Sequence, residues 1–499
     1  MTKLLSIFLN ITIISTTIAA DQPQWGQPLS RNMVSDETAL PDSFDPATGK
    51  NIKWVVPIGT INYGTPIIAN SKVFIGTNNE QPRDPKHTGD RGILLCLNEN
   101  DGTLCWQLVV PKLGPDKYLD WPKIGIVSPP TIQTDKIYVL TNRVEVLCLD
   151  IKGQANGNDG PFKDEARYMV PQGSDPIPLT KKDADIIWKY DLRSGVGMYP
   201  HDSAFSSILL HGDYLYLNTC NGVDNSHKNI PSQNAPSMIV LDKNTGKLIA
   251  ADNEHIGPRI FHSTWSSPAL GKVNGKDLVF FCGGDGVCYA FDTPKPEQTS
   301  EKVQILKRVW RFDPDPNAPK ENIHQYSSNK TTGPSNIMSM PVFHNNRLYV
   351  SIGGDIWWGK QKAWLKCIDT TQTGDITKTA EIWSFPLSKH SCSTPAIYNG
   401  LVFVADCGNN IHCLDAETGK HYWTHETEGE IWASPIIADG KIYIGTRNKD
   451  FWILAAQKQK KILHYIKMPD PIVATPTPAN NTLYLPTMKN LYAIKNSTK

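Results

Sequence analysis

CLDAETGKHYW, residues 413–423, is the stretch that decides the fold. Asp415, Thr418 and Gly419 are typical of a turn, because Asp and Thr side chains bond nearby backbone amides and glycine accepts a positive φ. The flanking residues alternate as strands do, so the stretch predicts a hairpin whose second strand reaches Trp423. A stretch that recurs along a chain is a structural building block, whereas a functional site occurs once.

The same stretch recurs along this chain. CLNENDGTLCW at residues 96–106 and VLDKNTGKLIA at residues 240–250 repeat its shape. Each copy follows a second recurring stretch, in which two alternating strands are joined at a Gly or Asn turn, as in STPAIYNGLVFVAD at residues 393–406. Together the two stretches form a four-stranded antiparallel unit, which is the blade of a β-propeller.

About eight copies are present, so we expect residues 21–499 to form one all-β, eight-bladed β-propeller of four-stranded antiparallel blades. The last copy stops after its third strand at residues 491–494, and residues 44–54 hold an isolated half unit. Joining the two ends in one sheet removes the open edges of the ring, so the N-terminal strand is predicted to close the last blade. The predicted units lie near residues 64–111, 127–192, 201–254, 263–314, 335–387, 390–427, 430–468 and 472–496 plus 44–58.

Charge and hydropathy limit the partners and the compartment. The chain carries 50 Lys and Arg against 49 Asp and Glu, so no global positive field is present to attract nucleic acid. Residues 1–20 predict a signal peptide and export to the periplasm or the medium, because an early Lys3 is followed by an apolar stretch from Leu4 to Ile18 and by the small residues Ala19 and Ala20. No transmembrane segment follows the signal peptide. No cysteine stands directly after it to be acylated, so a lipoprotein is not expected.

Two of the ten cysteines are singled out by a predicted hairpin. Asn399-Gly400 suits a two-residue type I′ turn, which pairs Tyr398 with Leu401. Counting outward from this pair places Cys392 opposite Cys407, at a separation that a disulfide tolerates. Two alternatives stay open, a disulfide formed after export and two separate thiols.

The repeated Ala/Cys-x-Asp-x-x-Thr-Gly-x-x-x-Trp pattern resembles the tryptophan-docking repeat of pyrroloquinoline quinone (PQQ) type propellers. Quinoprotein alcohol dehydrogenases share this repeat, as does the propeller lipoprotein of the outer-membrane β-barrel assembly machine. Stretches such as GTNNEQPRDPKHTGDRG and GGDGVCYAFD are similar to secreted bacterial proteins with PQQ-binding-like β-propeller repeats. The resemblance covers the whole mature chain and implies the fold more strongly than the function.

The family name does not establish a cofactor: PQQ is possible, but the chain departs from the quinoprotein pattern and carries none of its catalytic signatures. Quinoprotein dehydrogenases place a vicinal Cys-Cys disulfide against the quinone, and no Cys-Cys dipeptide occurs here. Their Glu, Asn and Asp metal ligands have no match that can be assigned, and no Cys-x-x-Cys-His is present to attach a haem. No cofactor and no metal site are therefore predicted.

Any ligand site is expected at the mouth of the central channel, where one side chain per blade lies three residues before the repeated proline. This rule gives Tyr63, Ile126, Trp265, Met338, Cys392, Trp432 and Val473. The third blade lacks the proline, and aligning Cys220 with Cys407 gives Phe205 there. The ring either fills the channel or offers a stacking surface to a flat ligand such as a quinone or a sugar. Neighbouring loops supply polar and aromatic candidates: His201, Asp202, Asn221, His262, Asp285, Asp355, Trp357 and His390.

Three functions follow from these observations. The leading hypothesis is a non-catalytic secreted or periplasmic propeller that binds a small flat ligand or protein partners, because the repeats are intact and catalytic signatures are missing. The second is a PQQ-dependent dehydrogenase with an altered site. The third is an envelope factor that assembles outer-membrane proteins.

Overall fold

The computed structural model describes residues 20–295 and 302–496, which form eight sheets arranged as an eight-bladed propeller, each built on four antiparallel strands. The predicted fold is confirmed. The predicted signal peptide lies outside the described residues, apart from Ala20. Within the described ranges, the two α-helices are single turns, α1 (Glu165–Tyr168) and α2 (Leu192–Val196), and no helix is long and apolar enough to cross a membrane.

Each blade runs outward from the channel in chain order, and only the last blade takes its outer strand from the N-terminus. Blade one consists of β2 (Ile67–Ala69), β3 (Lys72–Asn78), β4 (Arg91–Asn98) and β5 (Leu104–Pro111), and blade two of β6 (Thr131–Gln133), β7 (Lys136–Leu140), β8 (Glu145–Asp150) and β9 (Ile186–Asp191). Blade three consists of β10 (Leu209–His211), β11 (Tyr214–Asn218), β12 (Met238–Asp242) and β13 (Leu248–Ala251), and blade four of β14 (Ala269–Val273), β15 (Lys276–Cys282), β16 (Cys288–Asp292) and β18 (Arg308–Phe312). Blade five consists of β19 (Val342–His344), β20 (Arg347–Gly353), β21 (Ala363–Asp369) and β23 (Glu381–Leu387), and blade six of β24 (Ala396–Tyr398), β25 (Leu401–Asp406), β26 (Asn410–Asp415) and β27 (His421–Glu426). Blade seven consists of β28 (Ile436–Ala438), β29 (Lys441–Gly445), β30 (Asp450–Ala455) and β31 (Ile462–Lys467), and blade eight of β32 (Thr477–Ala479), β33 (Thr482–Pro486), β34 (Asn490–Ile494) and β1 (Ile52–Pro57).

The repeated stretch is the contact between neighbouring blades. Asp415 accepts a hydrogen bond from the amide of Thr418 at 3.0 Å, which fixes the turn between β26 and β27. Gly419 has a φ of 70°, and a Cβ there would lie 2.6 Å from the indole of Trp383 in the preceding blade. The repeated glycine therefore provides both the left-handed turn and the close contact with the previous blade.

The repeated tryptophan completes this contact by donating its Nε1–H to a backbone carbonyl of the next blade. Burying an indole without such a partner is costly, so the bond fixes the orientation of each ring. The Nε1–O distances are 3.0 or 3.1 Å in six blades: Trp54 to Glu99, Trp106 to Ile151, Trp188 to Lys243, Trp310 to Thr370, Trp383 to Ala416 and Trp423 to Gln457.

The ring closes as the sequence predicts. β1 pairs antiparallel with β34, with Trp54 opposite Ala493 and Val55 opposite Tyr492. Trp54 is 8% exposed and donates to the carbonyl of Glu99 in the first blade. One N-terminal strand thus completes the last blade and docks it onto the first.

Two long connections add strands that the repeat does not predict. β17 (Gln304–Ile305) pairs parallel with β13, and β22 (Gly374–Asp375) pairs parallel with β18. Each adds a fifth strand to the outer edge of the third or fourth blade. A short added strand covers backbone groups that would otherwise offer an open edge for pairing with another chain.

Residues 20–37 cross the channel and contact the innermost strands, which the sequence analysis did not foresee. Pro23 accepts from the amide of Ile132 at 2.9 Å, and Leu29 accepts from that of Leu270 at 2.8 Å. Further along, Asn32 bonds the backbone of Ile397. We call this segment the central plug, because its contacts join blades on opposite sides of the ring.

Cys392 and Cys407 are separate thiols in the structure, as are all ten cysteines. The type I′ turn is present, with φ of 48° at Asn399 and 73° at Gly400, and Tyr398 pairs with Leu401. The paired ladder ends at Ala396, however, and the amide of Cys407 donates to the carbonyl of His390 rather than continuing the register to Cys392. The disulfide stays a prediction, which thiol counting on the denatured, unreduced protein decides.

Candidate functional site

A cavity of about 510 Å³ opens at the mouth of the channel. Seven of the eight side chains that the repeat alignment places at the mouth line it, and Ile126 is the exception. Trp25 of the central plug also lines the cavity and packs edge-on against Phe205, with ring centroids 5.7 Å apart. The remaining aromatic lining residues come from loops: Tyr118, Trp121, Trp357 and Trp358.

Crossing indole rings form much of the apolar wall. Trp357 meets Trp265 at 5.8 Å and 72°, and it meets Trp432 at 5.9 Å and 82°. Trp357 and Trp358 remain 42% and 37% exposed, so two large apolar side chains face solvent side by side. Aromatic surface that stays in water is a feature of binding sites, since covering it is favourable.

The Trp357–Trp358 loop is held rigid by a buried carboxylate. Asp355, 2% exposed, accepts hydrogen bonds from the amides of Trp357 at 3.0 Å and Trp358 at 2.9 Å. Its other oxygen accepts from Asn336 and from Nδ1 of His262 at 3.0 Å. Asp355 therefore links the exposed indoles to the polar wall of the cavity.

The polar wall consists of His201, Asp202, His227 and His262, which come from three connections in blades three and four. His201 and Asp202 precede β10, His227 lies between β11 and β12, and His262 precedes β14. The Nε2 atoms of His201 and His227 are 3.1 Å apart. Asp202 lies 3.5 Å from Nε2 of His201 through one oxygen and 3.5 Å from Nε2 of His262 through the other.

Burial and charge set the protonation of these rings. Burial lowers the pKa of His201 to about 4 and also lowers the pKa of His227. Burial opposes the charged form of His262 as well, but the carboxylates of Asp355 and Asp202 outweigh burial and raise its pKa to about 9. Burial likewise opposes ionisation of Asp355, but His262 and the two amide hydrogen bonds outweigh it and lower the pKa to about 2.

A cation lies at the other side of the cavity. The guanidinium of Arg447 stacks over Trp432, 4.3 Å from the ring centroid, and pairs with Glu430 at 2.7 Å. Stacking leaves the edge of the guanidinium available for hydrogen bonds, so Arg447 can donate to an acceptor in the cavity.

The structure places the predicted site residues in three groups. Tyr63, Asp202, Phe205, Trp265, Trp357 and Trp432 line the cavity. His201 and Asp355 lie behind the lining and contact it through His227 and His262. His390 is buried outside the lining, and neither of its ring nitrogens has a hydrogen-bond partner among the described residues.

Two other predicted polar residues have structural partners. Asn221 accepts from the amide of Tyr199 at 3.0 Å, and Asp285 forms an ion pair with Arg259 at 2.9 Å. Sequence reasoning missed His227, in the stretch NGVDNSH. It also missed Trp25, because no repeat pattern marks the central plug.

Comparison with known proteins agrees with the fold. Residues 362–498 match the family model described as outer membrane protein assembly factor BamB, which is less than a third of the chain. BamB from Moraxella catarrhalis is similar in structure, with a TM-score of 0.50 at 13% identity over 89% of this chain and 97% of that one. The resemblance to propellers of the PQQ-repeat type is confirmed.

Two dehydrogenases share the fold. Quinohemoprotein alcohol dehydrogenase from Comamonas testosteroni has a TM-score of 0.59 at 10% identity, over 96% of this chain and 81% of that one. A europium-containing methanol dehydrogenase has a TM-score of 0.57 at 12% identity, over 95% of this chain and 89% of that one. At these identities the likeness shows the fold alone.

One curated protein is related in sequence over a shorter region. Tetrathionate hydrolase from Acidithiobacillus ferrooxidans is 28% identical over 196 residues. The match spans 39% of this chain and 36% of the length of that relative.

The cavity residues do not fit PQQ as quinoprotein dehydrogenases hold it. Cys392 is the one cysteine in the described lining, so no vicinal cysteine pair faces the cavity. Trp265 and Trp357 cross at 72° and do not form two parallel walls around a flat cofactor. We therefore derive no redox chemistry through PQQ at this site.

Proposed function

We propose that this chain is an exported β-propeller that binds a small, flat organic molecule in the cavity at the channel mouth. The observation that carries the proposal is the cavity itself, which is lined by aromatic rings on most sides and by charged groups at two places. Its volume of about 510 Å³ falls in the usual range for small-molecule sites. A ring of side chains that only filled the channel would leave no such space.

Aromatic walls and charged groups have separate roles in this proposal. The faces of Trp357 and Trp432 supply apolar contact area at low entropic cost, because an indole has only two rotatable side-chain bonds. Asp202 and His227 on one side, and Arg447 on the other, orient the polar edge of the ligand. The ligand class is thus a ring system with one apolar face and a hydrogen-bonding edge, such as a quinone, an aromatic acid or a pyranose sugar.

We expect Trp357→Ala to weaken binding of such a ligand about tenfold, since one aromatic contact contributes roughly 1 kcal/mol beyond its buried area. Isothermal titration calorimetry of the purified chain measures this, with a panel of quinones including PQQ, aromatic acids and pyranose sugars. Tetrathionate belongs in the panel because of the partial relative. The variant should keep its melting temperature, because Trp357 is 42% exposed.

Trp452→Ala is the matched control. This indole is half-buried and packs against Tyr465 at 4.4 Å in the seventh blade, outside the cavity. It should bind the ligand as the unmodified chain does. The proposed site is contradicted if Trp357→Ala and Trp452→Ala weaken binding equally, or if Trp357→Ala leaves binding unchanged.

An envelope assembly role is the second candidate function. It is supported by the family-model match over residues 362–498, which include the two outer strands of blade five, all of blades six and seven, and three strands of blade eight. A propeller used in this way binds protein chains through its loops or blade edges. Failure of every compound in the panel to bind would favour this second function over the first.

A further inference from the structure

We infer that His201, His227, His262 and Asp202 form a binding site for one divalent transition-metal ion in the wall of the cavity. The inference is independent of the organic ligand proposed above. One ring nitrogen from each histidine lies within 4.8 Å of the others. The closest two, in His201 and His227, are 3.1 Å apart. Nitrogens bound to one ion at about 2.1 Å are roughly 3.0–3.4 Å apart, so His201 and His227 already have the spacing of shared ligands and the nitrogen of His262 must approach from within 4.8 Å.

The far side of each buried ring is already fixed in the way that metal-binding histidines require. Nδ1 of His201 lies 2.8 Å from the carbonyl of Val223, which only accepts, so Nδ1 carries the proton and the Nε2 lone pair faces the cluster. Nδ1 of His262 lies 3.0 Å from the carboxylate of Asp355, which orients that ring in the same sense. A carbonyl or carboxylate behind the imidazole is the usual outer shell of a metal site.

Two polar atoms that face the cluster lack hydrogen bonds. Among the described residues, Nε2 of His262 and Oδ1 of Asp202 are buried and have no hydrogen-bond partner. His262 is only 2% exposed, and leaving buried polar atoms unsatisfied is costly. Each oxygen of Asp202 is 3.5 Å from one of the two buried histidines, as expected for ligands that share an ion.

The backbone also holds the cluster in uncommon conformations. Asp202 has a φ of 61° and His227 a φ of 56°, in the left-handed region that non-glycine residues rarely occupy. A Cβ at Gly222 would lie 2.7 Å from Cβ of His201 and 2.9 Å from the carbonyl of His262, so only glycine permits this approach. Strain of this kind concentrates at functional sites.

The donor set indicates the class of metal. Three imidazole nitrogens and one carboxylate suit Zn²⁺, Fe²⁺, Co²⁺ or Cu²⁺, whereas Ca²⁺ and Mg²⁺ prefer oxygen ligands. Asp202, His227 and His262 all line the cavity, so a bound ion has an open side toward it. This arrangement lets the ion contact a ligand in the cavity, as open metal positions do.

Without an ion, the same geometry is explained by a hydrogen bond between two histidines. In that case Nε2–H of His227 donates to Nε2 of His201, and the cluster is structural. The chain also brings together Asp84, His87 and Asp183, but Lys86 lies 3.7 Å from Asp183 and already supplies a positive charge there. The second cluster therefore serves as a control.

Zn²⁺ binding to the chelator-stripped full-length chain tests the inference. Calorimetry should show one ion per chain, and Co²⁺ should give a visible absorption band typical of nitrogen ligands in a site of low coordination number. His227→Ala should weaken Zn²⁺ binding at least 100-fold and remove the band, because it deletes one ligand. His87→Gln should leave both unchanged.

Three results would overturn the inference: no binding by the unmodified chain, equal binding by His227→Ala, or loss of binding in His87→Gln. His227 is a half-buried loop residue, so the His227→Ala variant should fold, and its melting temperature checks this. If His227→Ala does not fold, Asp202→Asn takes its place, and Zn²⁺ binding by that variant decides between the same outcomes. Asp355→Asn, which alters only the outer shell, should weaken binding about 10–100-fold while one ion still binds.

Discussion

Deletion of residues 44–56 should lower the melting temperature by on the order of 10 °C or more. The deletion removes most of β1, which supplies the outer strand of the last blade. It also removes Trp54, whose indole is 8% exposed and joins the last blade to the first through the carbonyl of Glu99. An unclosed ring exposes the edge of β34 and the facing surfaces of two blades, so both hydrogen bonds and buried apolar area are lost.

The comparison needs a deletion that removes chain without breaking the ring. Residues 172–176 form an exposed loop segment between α1 and β9 and are a suitable control. Their deletion should change the melting temperature by only a few degrees. Differential scanning calorimetry of both variants separates the effects, and a variant without residues 44–56 that melts like the intact chain contradicts closure by β1. Trp54→Ala should give a smaller loss in the same direction, about 3–5 kcal/mol, as for other buried aromatic truncations.

The propeller was predictable because its defining contacts are local in sequence. The turn at Asp415 and Gly419 is encoded within one repeat, and Trp423 follows at a fixed spacing. Six of the eight blades form the same docking bond, so the pattern that encodes it recurs along the chain. The same register predicts one side chain per blade at the channel mouth, and Trp265 and Trp432 from this set line one cavity.

Sequence reasoning named His201, His262 and Asp355 singly but missed His227 and the contacts among these residues, which join distant loops. His201 and His227 are 26 residues apart, and Asp355 reaches His262 across 93 residues. No repeat spacing relates these positions, so only the arrangement of three blades brings them together. The central plug was equally unpredictable from the repeat. Trp25 and Arg31 precede the first repeat, and the segment that carries them is irregular in backbone conformation where it contacts the blades.

Cys392 illustrates how register is lost near a site. Counting from the Asn399-Gly400 turn assumes a continuous ladder, but paired residues end at Ala396. Beyond that point the chain enters the channel mouth, where the amide of Cys407 bonds the carbonyl of His390. Side chains at the mouth are therefore positioned by an irregular backbone rather than by a continuous ladder, although the side chains of Cys392 and Cys407 still interact as the count predicts.

Arg31 of the central plug is expected to be among the most sensitive positions in the chain. It is 0% exposed, and its guanidinium donates to the carbonyl of Ser207 at 2.8 Å and to that of Pro268 at 3.0 Å. A third bond reaches the carbonyl of Trp25 at 3.3 Å. Burial lowers the pKa of Arg31 to about 9, so the group is still protonated at neutral pH. One cation thus ties the plug to the third and fourth blades through neutral acceptors.

We expect Arg31→Ala to reduce the free energy of unfolding by about 3–5 kcal/mol, because it leaves buried carbonyls without donors and opens a cavity. Arg31→Lys should recover only part of this loss, since an ammonium cannot reproduce the planar fork of donors. Arg193→Ala, on an exposed helix, is the control and should be close to neutral. Urea unfolding measures stability, and limited proteolysis reports whether residues 20–37 detach. A plug held mainly by its backbone bonds would instead leave Arg31→Ala as stable and as protease-resistant as the unmodified chain.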